Sequence, residues 1–337
     1  MKLLIVSSSV VPVGTGRYGG VELLVERAAE GYLKAGHRVT VAAPVGSKVP
    51  NGAELLETVN LPEEQDDDTK AGRIALKEFM VRADYDAIHD FSHRGAFHAR
   101  QFPAIHMIWN PVTVRYDFQP DNKAVCLSNW QAARYKWMYG RDAVVGKTGF
   151  IDTSVYRPYP DERSDRFLFL GKLSPEKGPD LAIQYAQELD VPLDVVGGLI
   201  PSEAMNNAYV HGLVESEERP EIEVNFNVTE EEKVRFLKRA KALIYPVRQE
   251  EAHWLAGIEA WCMDTPTIVA NRGAMKEINP ARLVMNSKSD FLNRMKDITV
   301  DKGIRSWGEF ARSSYSVEAC VQFYTELLMK VSKGASW

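Results

Sequence analysis

The chain has 337 residues, 45% of them hydrophobic and 26% charged, and its 41 Lys and Arg against 46 Asp and Glu give a formal net charge of −5. This composition is typical of a globular protein and excludes a disordered or fibrous chain, while the length indicates about two domains. The negative balance argues against a broad nucleic-acid surface, and no apolar run approaches the roughly 20 residues of a membrane helix. Three scattered cysteines, Cys126, Cys262 and Cys320, are too few for a disulfide framework or a zinc cage, which favours a reducing, cytoplasmic compartment.

Short apolar runs alternate with amphipathic stretches in the first half of the chain. Apolar residues at helical spacing predict a helix over Val21–Lys34 that ends at Gly36, and Ser128 with Gln131 predicts a capping box for a second helix. Buried strands are predicted at Leu3–Val6, Arg38–Ala43, Ala87–Ile88, Ala104–Ile108, Ala124–Leu127 and Ala143–Val145.

The same alternation restarts after the proline-rich connector Arg157–Pro160. Helices are predicted over Asp180–Leu189, from the capping box Thr229/Glu232 to Lys241, and over Ser316–Val331. Strands are predicted at Phe167–Leu170, Leu193–Val196, Leu243–Tyr245 and Thr267–Ala270. Strands alternating with helices imply parallel sheets covered on both faces, so we expect an α/β protein of two Rossmann-like units with the ligand in the cleft between them.

A glycine pattern near the first strand suggests a dinucleotide site that the rest of the sequence does not support. Gly14–Gly19 spells G-x-G-x-x-G, but Ser7–Val13 separate it from the strand, and Ala42–Pro44 stand where an acidic residue is expected. We therefore favour a loop in which Gly19 and Gly20 let the backbone approach an anionic group at a helix N-terminus. A flexible glycine loop without a ligand is the alternative.

Two carboxylates, Glu251 and Glu259, stand eight residues apart in the second half. Eight helical residues rise about 12 Å, which is too far for a shared proton but suits two acids that hold different parts of one elongated polar ligand. The alternative is that Glu259 is a surface helix acid and Glu251 a loop acid. Nearby, Gly171–Gly178 follows a strand and carries Lys172 and Lys177, whose ammonium groups could neutralise a leaving diphosphate.

In its order of motifs the chain resembles the retaining nucleotide-sugar-dependent glycosyltransferases of family 4, which have the GT-B fold of two Rossmann-like domains facing each other across a cleft. The likeness spans nearly the whole chain. The pieces that carry it are Gly19–Glu22, Gly149–Asp152 before Tyr156–Pro158, Gly171–Gly178, Glu251–Glu259 and Gly273–Glu277.

This resemblance implies an acceptor-side domain over 1–155, a donor-side domain over 156–315, and a last helix over 316–337 that crosses back to the first domain. It implies that Glu251 touches the transferred sugar, that Glu259 touches the nucleotide ribose, and that Lys177 binds the diphosphate. Lys172 stands where the family usually has arginine, and Gly171 belongs to the same donor loop. Gly19 and Gly20 would cover the diphosphate from the other side. The donor is then a UDP-, GDP- or ADP-sugar, and no cofactor is expected.

The chain departs from the family pattern at several positions. Ala252-His253-Trp254 replaces Pro-Phe-Gly or Gly-Phe-Gly, so His253, Trp254 and Leu255 occupy positions whose backbone amides usually reach the sugar and phosphate. Asp264-Thr265-Pro266 replaces Gly-Thr-Pro, and Trp109-Asn110 stands where His-Gly is common.

Each feature that could belong to the acceptor side has more than one interpretation. His93 and His106 are candidates to line it, but each is also explained as a hydrogen-bonded structural residue. The aromatic and basic stretch Trp130–Arg141 suits a membrane interface, which would make the protein peripheral to the membrane, or stacking against a sugar. The same stretch also fits an amphipathic helix that packs its Trp and Tyr side chains inward.

The resemblance implies transfer of a hexose-type sugar with retention, in which the donor phosphate takes the acceptor proton and the protein supplies positioning and electrostatic stabilisation. No metal is predicted, because no Asp-x-Asp follows a strand and the acidic stretch Pro62–Thr69, with Asp66–Asp68, is interpreted as a solvated loop. Two alternatives share the architecture: a catalytically weak nucleotide-sugar binder and a sugar-nucleotide epimerase.

Overall fold

The computed structural model describes residues 1–8, 11–16, 19–58, 84–93, 102–113, 123–159, 163–198, 208–215 and 221–335. The acidic stretch Pro62–Thr69 lies outside the described residues. The chain folds as two compact units, one formed by Met1–Phe150 together with Tyr315–Trp337 and the other by Ile151–Ser314.

The first unit is built on a parallel sheet of seven described strands in the order β3-β2-β1-β4-β5-β6-β7. The central strand β1 is an apolar run that is buried on both faces, as expected for a parallel sheet covered by helices. The edge strand β3 was not predicted, because its sequence, ELLET, has no long apolar run. In the structure its residues are at most partly buried. The strands are β1 (Lys2–Val6), β2 (Arg38–Pro44), β3 (Glu54–Thr58), β4 (Ala87–Asp90), β5 (Ala104–Met107), β6 (Ala124–Cys126) and β7 (Val144–Val145).

Helices α1 (Gly20–Lys34), α2 (Asn129–Tyr139) and α10 (Val317–Ser332) also belong to the first unit. Helix α10 packs against α1 at Gly31, where an added Cβ would lie 2.5 Å from Cγ2 of Val321, so the close approach requires glycine. The N-cap Ser128 of α2 accepts a hydrogen bond from the Gln131 amide, but the Gln131 side chain accepts from Leu127, so only half of the predicted capping box forms.

The second unit repeats this plan with six described parallel strands in the order β10-β9-β8-β11-β12-β13. Order and direction confirm the prediction of two Rossmann-like α/β units. Both sheets reverse their strand order at the centre, between β1 and β4 and between β8 and β11. The second set of strands is β8 (Phe167–Leu170), β9 (Leu193–Gly197), β10 (Ile222–Phe226), β11 (Leu243–Tyr245), β12 (Thr267–Ala270) and β13 (Val284–Met285).

Helix starts in the second unit are set by local chemistry. Gly178 precedes α3 in the left-handed conformation with Pro179 at the first helical position, and Thr229 with Glu232 forms the complete capping box predicted for α5. The helices are α3 (Pro179–Leu189), α4 (Ala208–Glu215), α5 (Glu230–Arg239), α6 (Leu255–Cys262), α7 (Met275–Ile278), α8 (Lys288–Asp297) and α9 (Lys302–Tyr315, whose last residue opens the final stretch of the first unit).

Candidate functional site

Most predicted donor residues of the second unit lie in the loops that follow β8 and β11, while Leu255 and Glu259 lie in helix α6. Strands β8 and β11 are neighbours, paired at Leu168 and Leu243, and they flank the point where the strand order reverses. Loops at such a point diverge to opposite sides of the sheet and leave a crevice at the carboxyl ends of the strands, which is where open α/β sheets bind ligands.

The loop after β8 carries Lys172 and Lys177 and is held by its own backbone. The amide of Lys177 donates to the Ser174 carbonyl at 3.0 Å. Gly178 ends the turn at φ +79°, and an added Cβ there would lie 2.4 Å from the Pro246 carbonyl oxygen, so this close approach between the loops after β8 and β11 requires glycine. Gly171 opens the loop with its amide donating to the Val196 carbonyl at 3.1 Å.

The charges of this loop act on Glu176. Burial raises the pKa of the Glu176 carboxyl, but the nearby Ser174 hydroxyl and the charges of Lys172 and Lys177 outweigh it, and the pKa is lowered overall. The loop therefore carries two ammonium groups against one carboxylate that stays ionised. Its balance is positive, which suits an anionic ligand.

Glu251 is the centre of the loop after β11. The residue is only 7% exposed, and Oε1 of its carboxylate accepts hydrogen bonds from Lys177 Nζ at 2.5 Å, the Tyr245 hydroxyl at 2.9 Å and Gln249 Nε2 at 3.1 Å. A buried carboxylate needs such partners, because an unpaired charge is costly to remove from water. The structure thus brings together two predicted site residues, Lys177 and Glu251, from different loops.

The loop after β12 fixes the backbone on either side of Glu251. The amide of Ala274 donates to the Glu251 carbonyl at 2.8 Å, and the amide of Gly273 donates to the Glu250 carboxylate. Gly273 has φ +54°, and an added Cβ would lie 2.2 Å from the Glu251 carbonyl oxygen. Only glycine allows this contact.

Glu259 lies within α6 and is 2% exposed. Its Oε1 is 2.9 Å from Nζ of Lys233 on α5, and the same ammonium lies 2.8 Å from Glu230 and 5.5 Å from the ring centre of Tyr156. The interpretation of Glu259 as a surface acid is therefore wrong, because this carboxylate is buried and neutralised by a cation. Glu251 lies in the loop before α6, as the interpretation of this residue as a loop acid predicts.

His253, Trp254 and Leu255 lie at the start of α6. Trp254 precedes the first helical residue, Leu255, and no side chain of the described residues caps this helix. The Trp254 ring is stacked on Tyr245, with centroids 4.6 Å apart and planes at 11°, and the residue is only 5% exposed. His253 is half-buried. The large side chain at position 254 is therefore packed inside the unit rather than over the open end of the helix.

Gly19 and Gly20 open α1 in the first unit. Gly19 has an extended backbone and makes no side-chain cap, while its carbonyl accepts from the Leu23 amide at 3.1 Å. The buried carboxylate of Glu22, which accepts a hydrogen bond from Ser8, lies so close that a Cβ at Gly19 would be 2.3 Å from its Oε2. The glycine thus makes room for a carboxylate in the first turn, where it complements the helix dipole.

The predicted acceptor-side histidines occupy different environments. His106 is buried on β5, and its Nε2 lies 3.2 Å from the Ser92 carbonyl oxygen. His93 is half-buried in the segment after β4. Trp109, at the position where the family commonly has histidine, donates from Nε1 to the Phe91 carbonyl at 2.7 Å. The backbone bond of His106 is the kind a structural histidine makes.

The aromatic and basic stretch forms α2 and the turn after it. Tyr135 is buried, as the packing interpretation expects, but Trp137 is 76% exposed, so that interpretation is wrong for this side chain. The Arg134 guanidinium lies 5.5 Å from the ring centre of Trp130 and 5.8 Å from that of Trp137. Across the described ranges, no helix has the length and apolar character needed to cross a membrane.

Three polar residues near the predicted carboxylates were not anticipated from the sequence: Tyr245, Gln249 and Lys233. Tyr245 ends a predicted strand and could have been suspected from that position alone. Lys233 lies on a different helix from Glu259, and no spacing in the sequence relates the two. In the part of the chain that the structure describes, no group of three or more His, Cys, Asp or Glu is placed to hold a metal ion.

Part of the second unit is similar in sequence to a known family. Residues 157–282 match the family described as Glycosyl transferases group 1. That region contains every predicted donor residue of the second unit. No protein in the curated set matches the chain in sequence.

Solved structures match over nearly the full chain. AviGT4, a glycosyltransferase involved in avilamycin A biosynthesis, is 20% identical with a TM-score of 0.75, covering 100% of this chain and 99% of its own. Sucrose-phosphate synthase from Thermosynechococcus elongatus is 16% identical with a TM-score of 0.78, and the match covers 99% of this chain and 100% of the synthase chain. Anabaena Alr3699/HepE, in complex with UDP and glucose, is 14% identical with a TM-score of 0.73, and the match covers 97% of this chain and 99% of the Anabaena chain. The chain has the GT-B fold, and the family match together with this fold supports a glycosyltransferase.

Proposed function

We propose that this protein transfers a hexose-type sugar from a nucleoside-diphosphate sugar to a hydroxyl acceptor, with retention at the anomeric carbon. The observation that carries the proposal is the contact between Lys177 and Glu251, whose Nζ and Oε1 are 2.5 Å apart at the reversal point of the second sheet. The pair combines a cation for a diphosphate with a carboxylate for a sugar hydroxyl in one crevice.

The lysines supply the electrostatic part of the mechanism. The bond between the anomeric carbon and the β-phosphate oxygen breaks, and its electron pair leaves with the diphosphate. The acceptor oxygen forms the new bond on the same face, and its proton passes to a β-phosphate oxygen, so the products are a glycoside and a nucleoside diphosphate. Lys172 and Lys177 stabilise the charge that develops on the leaving group, and the N-terminus of α6 at Leu255 adds its dipole.

The carboxylates supply the positioning part. Glu251 accepts a hydrogen bond from a sugar hydroxyl, and Glu259 contacts the ribose while remaining paired with Lys233. Gly19 and Gly20 are the first unit's candidates for contact with the diphosphate, and His93 and His106 are its candidates for contact with the acceptor. Binding of UDP and glucose by the Anabaena protein supports a nucleotide-sugar donor, for which UDP-, GDP- and ADP-sugars are the candidates.

No separate general base, metal or cofactor is required in this proposal, because the donor phosphate accepts the proton and the lysines carry the positive charge. The burial of Trp254 supports a donor site at the start of α6. The bulky residue that replaces the usual glycine is turned into the protein, where it stacks on Tyr245, and does not fill the space in front of α6.

The test is a calorimetric panel of UDP, GDP and ADP and their glucose or mannose conjugates, followed by an assay of nucleoside diphosphate release. The wild-type protein is expected to bind one nucleotide series. Lys177→Ala should lose at least tenfold in affinity for the diphosphate and should abolish donor turnover, because one charge-assisted contact is worth roughly 1.5–3 kcal/mol. Lys288→Ala is the matched control, since Lys288 forms a surface ion pair with Glu188.

The alternatives give different results in the same assay. A catalytically weak binder would bind a nucleotide sugar without releasing nucleoside diphosphate in the presence of any acceptor. An epimerase would convert the donor sugar without an acceptor. Normal turnover by Lys177→Ala would contradict the proposed role of the lysine, and no binding by the wild-type protein would contradict the proposed function.

A further inference from the structure

The Glu251 carboxylate is bonded asymmetrically. Lys177, Tyr245 and Gln249 all donate to Oε1, at 2.5, 2.9 and 3.1 Å. No described residue donates a hydrogen bond to Oε2. A carboxylate has about four lone-pair positions, two on each oxygen, so the three donors fill Oε1 and both positions of Oε2 are left for a ligand.

Two of the three donors belong to residues held by contacts that do not involve a ligand. The ring of Tyr245 is buried, stacked on Trp254 at 4.6 Å and tilted against Phe169 at 6.0 Å between centroids. The backbone amide of Gln249 donates to the Glu176 carbonyl at 3.3 Å. Lys177 differs from both, because a flexible four-carbon stem carries its charge.

We propose that Tyr245 and Gln249 are positioning residues that hold Glu251 by one oxygen, so that Oε2 is presented to a hydroxyl of the donor sugar. The inference rests on the proposed function and adds residues that determine how the sugar is recognised. Without the two neutral donors the carboxylate would be held by Lys177 alone and could rotate about its terminal bond. The sugar would then lose an aligned acceptor, while the nucleotide and diphosphate contacts would be unchanged.

The affinity for the nucleotide sugar and the affinity for the nucleoside diphosphate alone therefore depend on different residues. Loss of the Tyr245 hydroxyl should weaken binding of the nucleotide sugar but leave binding of the nucleoside diphosphate alone unchanged. A purely structural role for Tyr245 would weaken both equally, because it would disturb the loop that carries both contacts. The ratio of the two affinities separates the possibilities.

The experiment measures by calorimetry the affinity of the full chain for UDP and UDP-glucose, GDP and GDP-mannose, and ADP and ADP-glucose, and uses the pair that the wild-type protein binds. Tyr245→Phe keeps the stacked ring and removes only the hydroxyl. It should lose about tenfold in affinity for the sugar conjugate and less than twofold for the diphosphate, as for one hydrogen bond to a charged group. Tyr209→Phe is the matched control, because the Tyr209 hydroxyl donates to Asp180 at 2.6 Å in the same unit.

Two further variants complete the test. Gln249→Met removes the second donor at a half-buried position and should show the same selective loss, which keeps the proposal testable if Tyr245→Phe unfolds. In a Glu251→Gln background, Tyr245→Phe should change the affinity ratio by less than twofold, because both act through one carboxylate.

Equal weakening of both ligands, no weakening by either single variant, or full additivity with Glu251→Gln would overturn the inference while leaving the proposed function standing. Failure of the wild-type protein to bind any pair would overturn the proposed function, and the inference with it.

Discussion

The indole of Trp254 lies directly against Gly257, so that a Cβ added to the glycine would be 2.1 Å from Cε3 of the indole. Trp254 stands where the family that the chain resembles usually has glycine, and Gly257 lies one turn further along, inside α6. The tryptophan is accommodated because the residue three positions later has no side chain. The space for a large residue at the start of α6 is thus made within the same helix.

We expect Gly257→Ala to lower the free energy of unfolding by about 2 kcal/mol, because the new methyl group overpacks the indole. In a Trp254→Gly background the same change should stabilise the protein by about 1 kcal/mol, the usual gain of alanine over glycine inside a helix. Urea unfolding of the four proteins in this cycle measures both effects. The same effect in both backgrounds would show that the indole does not determine the need for glycine.

Lys233 is predicted to be essential for stability because it neutralises the buried Glu259. Lys233→Met should lower the free energy of unfolding by about 3 kcal/mol, since it leaves a carboxylate uncompensated in the interior. The double variant with Glu259→Gln should recover most of the loss, since it removes the buried charge. Urea unfolding is again the measurement.

Arg235 is the matched control on the same helix. It pairs with Glu231, and their side chains are 68% and 77% exposed. Arg235→Met should change the free energy of unfolding by less than about 0.5 kcal/mol, because solvent screens exposed pairs. Equal losses for the two variants would mean that burial of Glu259 does not control the stability of α5 and α6.

His89 on β4 should make the protein less stable as the pH falls below neutrality. It is fully buried, with Nδ1 3.0 Å from the Tyr32 hydroxyl and its ring 4.5 Å from that of Tyr324, and burial lowers its pKa from 6.5 to about 3. The unfolded chain binds a proton near pH 6.5 that the folded protein excludes. The stability contribution is therefore complete above pH 6.5 and is lost as the pH falls toward 3, by about 2 kcal/mol between pH 7 and pH 5.

The measurement is urea unfolding at pH 7 and pH 5. His89→Gln should reduce the loss of stability between these pH values by about 2 kcal/mol, whatever its effect at pH 7. His211→Gln, at an exposed position on α4, should retain the wild-type loss. A wild-type pH dependence in the His89 variant would contradict the assignment of the effect to this buried ring.

The repeating units could be predicted because their signals are local. Continuous apolar runs such as Leu3–Val6 and Phe167–Leu170 became central parallel strands, and Thr229 with Glu232 became a complete capping box. Edge strands such as Glu54–Thr58 and Ile222–Phe226 were missed, because a half-exposed strand has no uninterrupted apolar run to reveal it.

The two-unit α/β plan, the loops that follow the strands and the candidate pair of carboxylates are all predictable from the sequence, since they depend on short stretches of chain. The partners of those carboxylates become visible only in the folded chain. Lys177 is 74 residues from Glu251, and Lys233 is 26 residues from Glu259. The physical reason is that a buried charge must be neutralised by whatever group the packing brings within reach, and packing joins residues that no sequence spacing relates.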